Sequence, residues 1–140
     1  MKFYVYSRQR AAQESRVISE PTLIISITDP GRELNDFAEN EHIKAICRVQ
    51  FDDVTRNNAR ECDVLMTPRH AELIKQYVRR YIDEVECIIV HCEGGVSRSA
   101  GIMAAIRKYL LGDDSAIRNS GRYLPNKHCY DLMLNALEGY

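Results

Sequence analysis

Five cysteines occur in the 140-residue chain: Cys47, Cys62, Cys87, Cys92 and Cys129. Only Cys92 has an arginine six residues downstream, Arg98, with Glu93-Gly94-Gly95-Val96-Ser97 between them. An apolar run, Cys87 to Val90, precedes the segment, and a second, Ala100 to Leu111, follows it. A short glycine-bearing loop between a buried strand and a buried helix turns successive backbone N–H groups inward, which makes a nest for an anion. The helix N-terminus adds about half a positive charge at the same place. Glycines permit close approach and torsions that a side chain forbids. Arg98 supplies a planar fork matching two oxygens of a phosphate. The field that holds a dianionic ester also favours the thiolate form of Cys92, the nucleophilic form of a thiol. A purely structural turn around a buried cysteine has no need of these features together.

The elements that must position this loop are legible around it. Lys2 to Tyr6 reads as a strand, and Ser7 as the cap of a short polar helix to about Glu14. Thr22 to Thr28 reads as a strand ended by the turn residues Asp29-Pro30-Gly31, and Ile43 to Phe51 as another. The segment from Asp52 to Met66 is long and polar, a candidate functional loop. Thr67-Pro68 starts a helix with Leu73, Ile74, Tyr77, Val78, Tyr81 and Ile82 on its apolar face. Cys87 to Val90 suits a strand buried on both faces, and Gly112 ends the helix begun at Ala100. Asp113 or Asp114 caps a short helix ended by Gly121, and a last helix runs from about Asn126 to Leu137. Alternating strands and helices predict a three-layer α/β domain, 1–140, with a mostly parallel central sheet flanked by helices. Ligands of such sheets bind beyond the carboxyl ends of the strands, where Cys92 falls.

Composition narrows the partners. Nineteen basic and twenty acidic side chains give a net charge of −1, so no global field recruits nucleic acid or membrane. No run approaches a membrane span, and no signal-peptide core is present, so a cytoplasmic protein with reduced thiols is expected. An odd cysteine count and the lack of a C-x-x-C pair argue against disulfides and zinc. No cofactor and no metal are expected, and a monomer is the default.

The run HCEGGVSRSAG, His91 to Gly101, resembles the H-C-x-x-G-x-x-R-S signature loop of the cysteine-dependent protein tyrosine and dual-specificity phosphatases. The tail Tyr123-Leu124-Pro125-Asn126 is similar to that of the compact members. The resemblance implies their fold and hydrolysis of phosphate monoesters through a phosphocysteine, with phosphotyrosine in proteins foremost and phosphoserine or phosphothreonine next. It makes Cys92 the nucleophile, gives phosphate binding to Arg98 and the backbone of Glu93, Gly94, Gly95, Val96 and Ser97, and lets Ser99 help the thiolate leave. His91 would orient the loop. Glu93 is expected to point outward, because an inward carboxylate repels phosphate.

Expulsion of an alkoxide or phenolate needs a proton donor. The family places an aspartate after a strand upstream of the cysteine, in an apolar-x-apolar-x-Asp phase that Val49, Phe51 and Asp53 fit. Asp53 is therefore the acid of choice, ahead of Asp52 and Asp63. Asn126 matches a Pro-Asn that supports the loop or the hydrolytic water, and it suits a helix N-cap equally well. A low-pKa nucleophile also invites redox control, with Cys47 and Cys87 as resolving thiols on strands expected beside the site. Rival readings are a catalytically dead phosphate-binding module, a phosphatase for non-protein phosphoesters, and sulfur or arsenate chemistry. The loop lacks additional basic residues beside Arg98, which disfavours inositol lipids.

Overall fold

The computed structural model describes residues 1–139. Four strands, β1 (Lys2–Tyr6), β2 (Thr22–Thr28), β3 (Ile43–Gln50) and β4 (Cys87–His91), form one sheet in the order β1-β4-β2-β3. All three pairings are parallel, with Tyr6 opposite His91 and Ser26 opposite His91 on its other side. Strand β4 is thus central and lies between β1 and β2. Every residue of β2 and of β4 is buried, in keeping with their near-continuous apolar sequences.

The period of two then sorts side chains between faces. Leu23, Ile25, Ile27, Cys47, Val49, Ile88 and Val90 face the main core. Over them pack three helices: α2 (Pro68–Tyr81), α3 (Arg98–Leu111) and α5 (Lys127–Glu138). The other face is thinner. Ile24, Cys87 and Ile89 form a small cluster there with Tyr6, Ile18, Phe37, Ile43 and Ile46. Helix α1 (Arg8–Ser15) and the irregular segment before β3 supply its cover.

Helix ends follow their sequence signals. The Ser7 hydroxyl accepts from the Arg10 N–H and caps α1. Thr67 and His70 cap each other's backbone at the start of α2, with Pro68 in the first turn. Gly112 ends α3 in the left-handed conformation, φ +72°. A single-turn helix, α4 (Ser115–Arg118), is the exception: it stops at Asn119, short of the Gly121 expected to end it, while Asp113 accepts from the Ser115 N–H at 2.9 Å.

Three boundaries or faces differ from expectation. Helix α3 begins at Arg98, so Arg98 and Ser99 belong to its first turn. Strand β3 stops at Gln50, which leaves Phe51 outside the ladder but fully buried. Leu73 is exposed, whereas Lys75 is buried and pairs with Glu72 at 2.9 Å. The buried stripe of α2 is set by Ala71, Ile74 and Val78, three and four residues apart. Leu73 lies off that stripe. No described helix is long and apolar enough to cross a membrane.

Candidate active site

Strand β4 ends at His91, and the chain from Cys92 to Ser97 curls over the carboxyl edge of the sheet before entering α3. Cys92 is 3% exposed, and its Sγ lies 3.1 Å from the Ser99 Oγ in the first turn of α3. Either atom can be the donor in that contact. None of the backbone N–H groups from Glu93 to Ser97 finds a protein acceptor among the described residues. Ser97, at the cap position of α3, does not cap the helix with its side chain. Its hydroxyl donates instead to Asp53 Oδ1 at 2.8 Å. A residue type well suited to satisfying a helix N-terminus is turned away, and the first amides of α3 stay available beside the sulfur.

The glycines differ in necessity. Gly95 has φ +69°, and a Cβ there would lie 2.5 Å from the Ser7 N and 2.6 Å from the Tyr6 carbonyl carbon. The loop is thereby seated against the end of β1. Gly94 has open space around it, so the requirement for glycine rests on Gly95 alone.

Arg98 is 4% exposed. Its Nη1 donates to the Phe51 carbonyl at 2.6 Å and pairs with Asp29 Oδ1 at 2.8 Å. The Nε edge is buried without a hydrogen-bond partner among the described residues. One nitrogen thus anchors the guanidinium, and its Nε is left without an acceptor. Asp29 was expected only as a turn former after β2.

Beneath the loop, His91 is fully buried. Its Nδ1 lies 3.1 Å from the Cys92 carbonyl, so that nitrogen carries the proton and donates. Nε2 accordingly accepts from the Ser26 hydroxyl at 2.6 Å and from the Asn35 amide at 3.4 Å. Burial pushes the imidazole down to about 4, opposed by the bond to the Cys92 carbonyl and assisted by the charges of Arg8, Arg48 and Arg98. The neutral ring fixes the first carbonyl of the loop, as the orienting role requires.

The three candidate acids separate by what binds them. Asp53 is at the rim, its Oδ1 taking hydrogen bonds from Ser97 Oγ and from Asn126 Nδ2 at 2.9 Å. Its second oxygen is free of protein donors among the described residues. Asp52 instead closes the neck of its own loop, with Oδ2 accepting from the Val64 N–H at 2.7 Å. Asp63 accepts from the Arg60 backbone at 2.8 Å, and that bond holds its carboxyl below the ordinary range. Of the three, only Asp53 touches the Cys92–Ser97 loop.

Asn126 serves two of its suggested purposes. Its Oδ1 accepts from the Cys129 N–H at 3.0 Å and caps α5, while Nδ2 holds Asp53 and the Val54 carbonyl. The Asn126 backbone N–H donates to the Ser97 carbonyl at 3.0 Å. This close passage needs Gly101 in α3, where a Cβ would come within 2.6 Å of the Asn126 oxygen.

Glu93 points away from the loop interior, with its carboxylate 3.6 Å from Arg8 Nη1 and 3.2 Å from Arg32 Nη1. The redox expectation for Cys47 and Cys87 fails on position. Cys87 opens β4 and Cys92 follows its end, so the strand's rise puts them roughly 16 Å apart. Cys47 is buried within β3, which β2 separates from β4, and its thiol is pushed up to about 12 by burial. The thiol that feels the site is Cys129, under Asn126. Burial and then the charge of Asp53 push it up to about 12, and Arg98 opposes them.

Solved structures share this arrangement of chain. Human DUSP28 superimposes with a TM-score of 0.64 at 14% identity, over 97% of this chain and 91% of that one. PTPMT1, in a structure with PI(5)P, gives 0.56 at 13% identity over 98% and 90%. A human tyrosine phosphatase-like serine/threonine/tyrosine-interacting protein gives 0.56 at 16% identity over 80% and 73%. The chain has the fold of the dual-specificity phosphatases. No family model matches the sequence, and no curated protein matches it. Within this phosphatase fold the HCEGGVSRS segment forms the strand-to-helix loop just described, at the carboxyl edge of the sheet. Sequence reading missed Asp29, Ser26 and Asn35, the partners of Arg98 and His91. A polar serine in the all-buried apolar run Thr22–Thr28 was the available signal for Ser26.

Proposed function

We propose that the chain hydrolyses phosphate monoesters through a covalent phosphocysteine on Cys92. The observation that carries this reading is the run of loop amides and the Arg98 Nε, all without protein acceptors among the described residues, in the segment that follows a thiol in contact with Ser99. In the first step the Cys92 thiolate attacks phosphorus and the P–O bond to the leaving group breaks. A proton on the free oxygen of Asp53 passes to the departing alkoxide or phenolate. Arg98 and the amides gain strength as charge spreads over the equatorial oxygens. In the second step water attacks the phosphocysteine, Asp53 takes its proton, and Ser99 donates to the sulfur as it leaves as thiolate.

Within that chemistry we assign protein phosphotyrosine as the substrate, with phosphoserine and phosphothreonine after it, in a compartment that keeps thiols reduced. The assignment rests on the loop's resemblance and on a fold shared with dual-specificity phosphatases. The test is turnover of p-nitrophenyl phosphate with vanadate inhibition, followed by mass spectrometry of acid-quenched enzyme. A phosphoryl adduct on the Cys92 peptide is expected, and Cys92→Ser abolishes both adduct and turnover. Turnover that survives Cys92→Ser would remove the mechanism.

A further inference from the structure

Beside the phosphate loop, on the thin face of the sheet, lies a second cleft of about 510 Å³. Its wall is one side of α1 and the residue that ends it. Gln9, Gln13 and Arg16 lie four and three residues apart and so share a face. Arg8 and Arg32 close the cleft on the loop side, where Glu93 stands between them. All but one of its lining residues are polar or charged and the charge is unbalanced: three guanidinium groups meet one carboxylate, leaving two positive charges in excess. Arg16 makes no ion pair among the described residues, and Arg8 Nη1 is buried without a hydrogen-bond partner. Oε1 of Glu93 also lacks a hydrogen-bond donor, so its pairing with Arg8 is electrostatic and loose. Donors in this state favour an anionic ligand with hydrogen-bonding capacity along its length.

We propose that this cleft is a docking groove for an acidic peptide segment flanking the phosphorylated residue, which makes acidic phosphopeptides the preferred substrates. The proposal deepens the phosphatase reading and rests on it for turnover. Glu93 lines the cleft and follows Cys92 directly in the chain, so the cleft adjoins the loop that would hold the phosphate. Gln9 and Gln13 offer amides that pair with both N–H and C=O of an extended peptide backbone. Arg16 and Arg32 face its carboxylates. Ala12, between Gln9 and Gln13 on α1, leaves room for the chain.

The test uses three phosphotyrosine peptides with glutamate, alanine or lysine at the flanking positions, assayed at low ionic strength. The glutamate peptide is expected to exceed the alanine peptide by about ten-fold in kcat/KM, with the lysine peptide below both. The preference shrinks as salt is added. Arg16→Glu abolishes it, while hydrolysis of p-nitrophenyl phosphate stays at the level of the unsubstituted protein. Calorimetric binding of the same peptides to the Cys92→Ser protein reads the groove without turnover, and there too Arg16→Glu erases the difference. Equal handling of the three peptides, or a preference that survives Arg16→Glu, overturns the proposal. So does an Arg16-dependent preference seen with an inositol bisphosphate and with no peptide. Loss of aryl phosphatase activity together with a retained peptide preference in binding refutes the chemistry and leaves the groove standing.

Discussion

His91 ties the Cys92–Ser97 loop to the floor of the sheet, and its cost in acid can be worked from its surroundings. The ring is neutral in the fold, held down to about 4 by burial, against an ordinary value of 6.5. The unfolded chain therefore binds one more proton than the native one between those two values. Stability is complete above about pH 6.5, declines as pH falls through the window, and levels off below about pH 4. A gap of some two units at 1.36 kcal/mol each makes the loss on the order of 3 kcal/mol, a large part of a small domain's total. The perturbation is His91→Asn, whose amide can still donate toward the Cys92 carbonyl but does not titrate. Urea denaturation of both proteins at half-unit steps from pH 7.5 to 4 is the assay. At neutral pH the variant is the less stable, because Ser26 and Asn35 lose their acceptor. The difference should narrow by about 3 kcal/mol toward pH 4, while all other titrating groups cancel in the subtraction. Parallel curves for the two proteins would refute the reasoning. Direct titration of the His91 imidazole resonance gives the same answer without a variant, and a midpoint near 6.5 would be equally fatal.

Other substitutions probe the loop and its acid. Asp53→Asn is expected to lower kcat by about two to four orders of magnitude for poor leaving groups, with KM little changed. Asp52→Asn, which touches only its own loop neck, should cost about 1 kcal/mol of stability and leave kcat within a few-fold, so the reverse pattern would exchange the two assignments. Gly95→Ala forces a Cβ to within 2.5 Å of the Ser7 nitrogen and a strained φ, and should cost roughly 2 kcal/mol or more with loss of turnover. Gly94→Ala meets open space and should retain both, as thermal melts and steady-state kinetics will report. Asp29→Ala removes an anchor from Arg98 and is expected to weaken inorganic phosphate inhibition by about five-fold, the discount reflecting Asp29's 41% exposure. Tighter phosphate binding in that variant would make Asp29 a competitor of the anion rather than a support.

The parts of the site that could be read from the chain are those contiguous in it. Cys92, the loop and Arg98 form one local run, and a strand-to-helix connection needs nothing distant to be recognised. Elements were equally readable where a cap or glycine marks the end, as at Ser7, Thr67 and Gly112. What stayed hidden depends on strand order. Ser26 and Asn35 reach His91, and Asp29 reaches Arg98, only because β2 lies beside β4, and parallel neighbours are joined by crossovers that erase sequence proximity. Cys87 was misplaced for the same kind of reason: it shares a strand with the site but stands at the opposite edge of the sheet. Leu73 was misassigned because two adjacent apolar residues on a helix can each start a plausible stripe, and the choice belongs to the partner surface.

These distant contacts explain why the loop holds its amides open. A flexible loop with several unpaired donors would fold back to satisfy them, or let Ser97 cap α3, since each unmade bond carries a penalty. Here every route to that relaxation is tied off from a different element. His91 holds the Cys92 carbonyl from the β2 side, and β1 blocks Gly95 through Tyr6 and Ser7. Asp53 draws away the Ser97 hydroxyl, while the Ser97 carbonyl is occupied by the N–H groups of Asn126 and Gly101. The donors can then be satisfied only by solvent or by an oxyanion arriving from outside. On the proposed chemistry that would be electrostatic preorganisation built from the fold, with reorganisation already completed before a substrate binds. It also locates the weak point: Asn126 takes part in the ties to both Ser97 and Asp53 and caps α5, so the loop, Asp53 and the last helix share one residue.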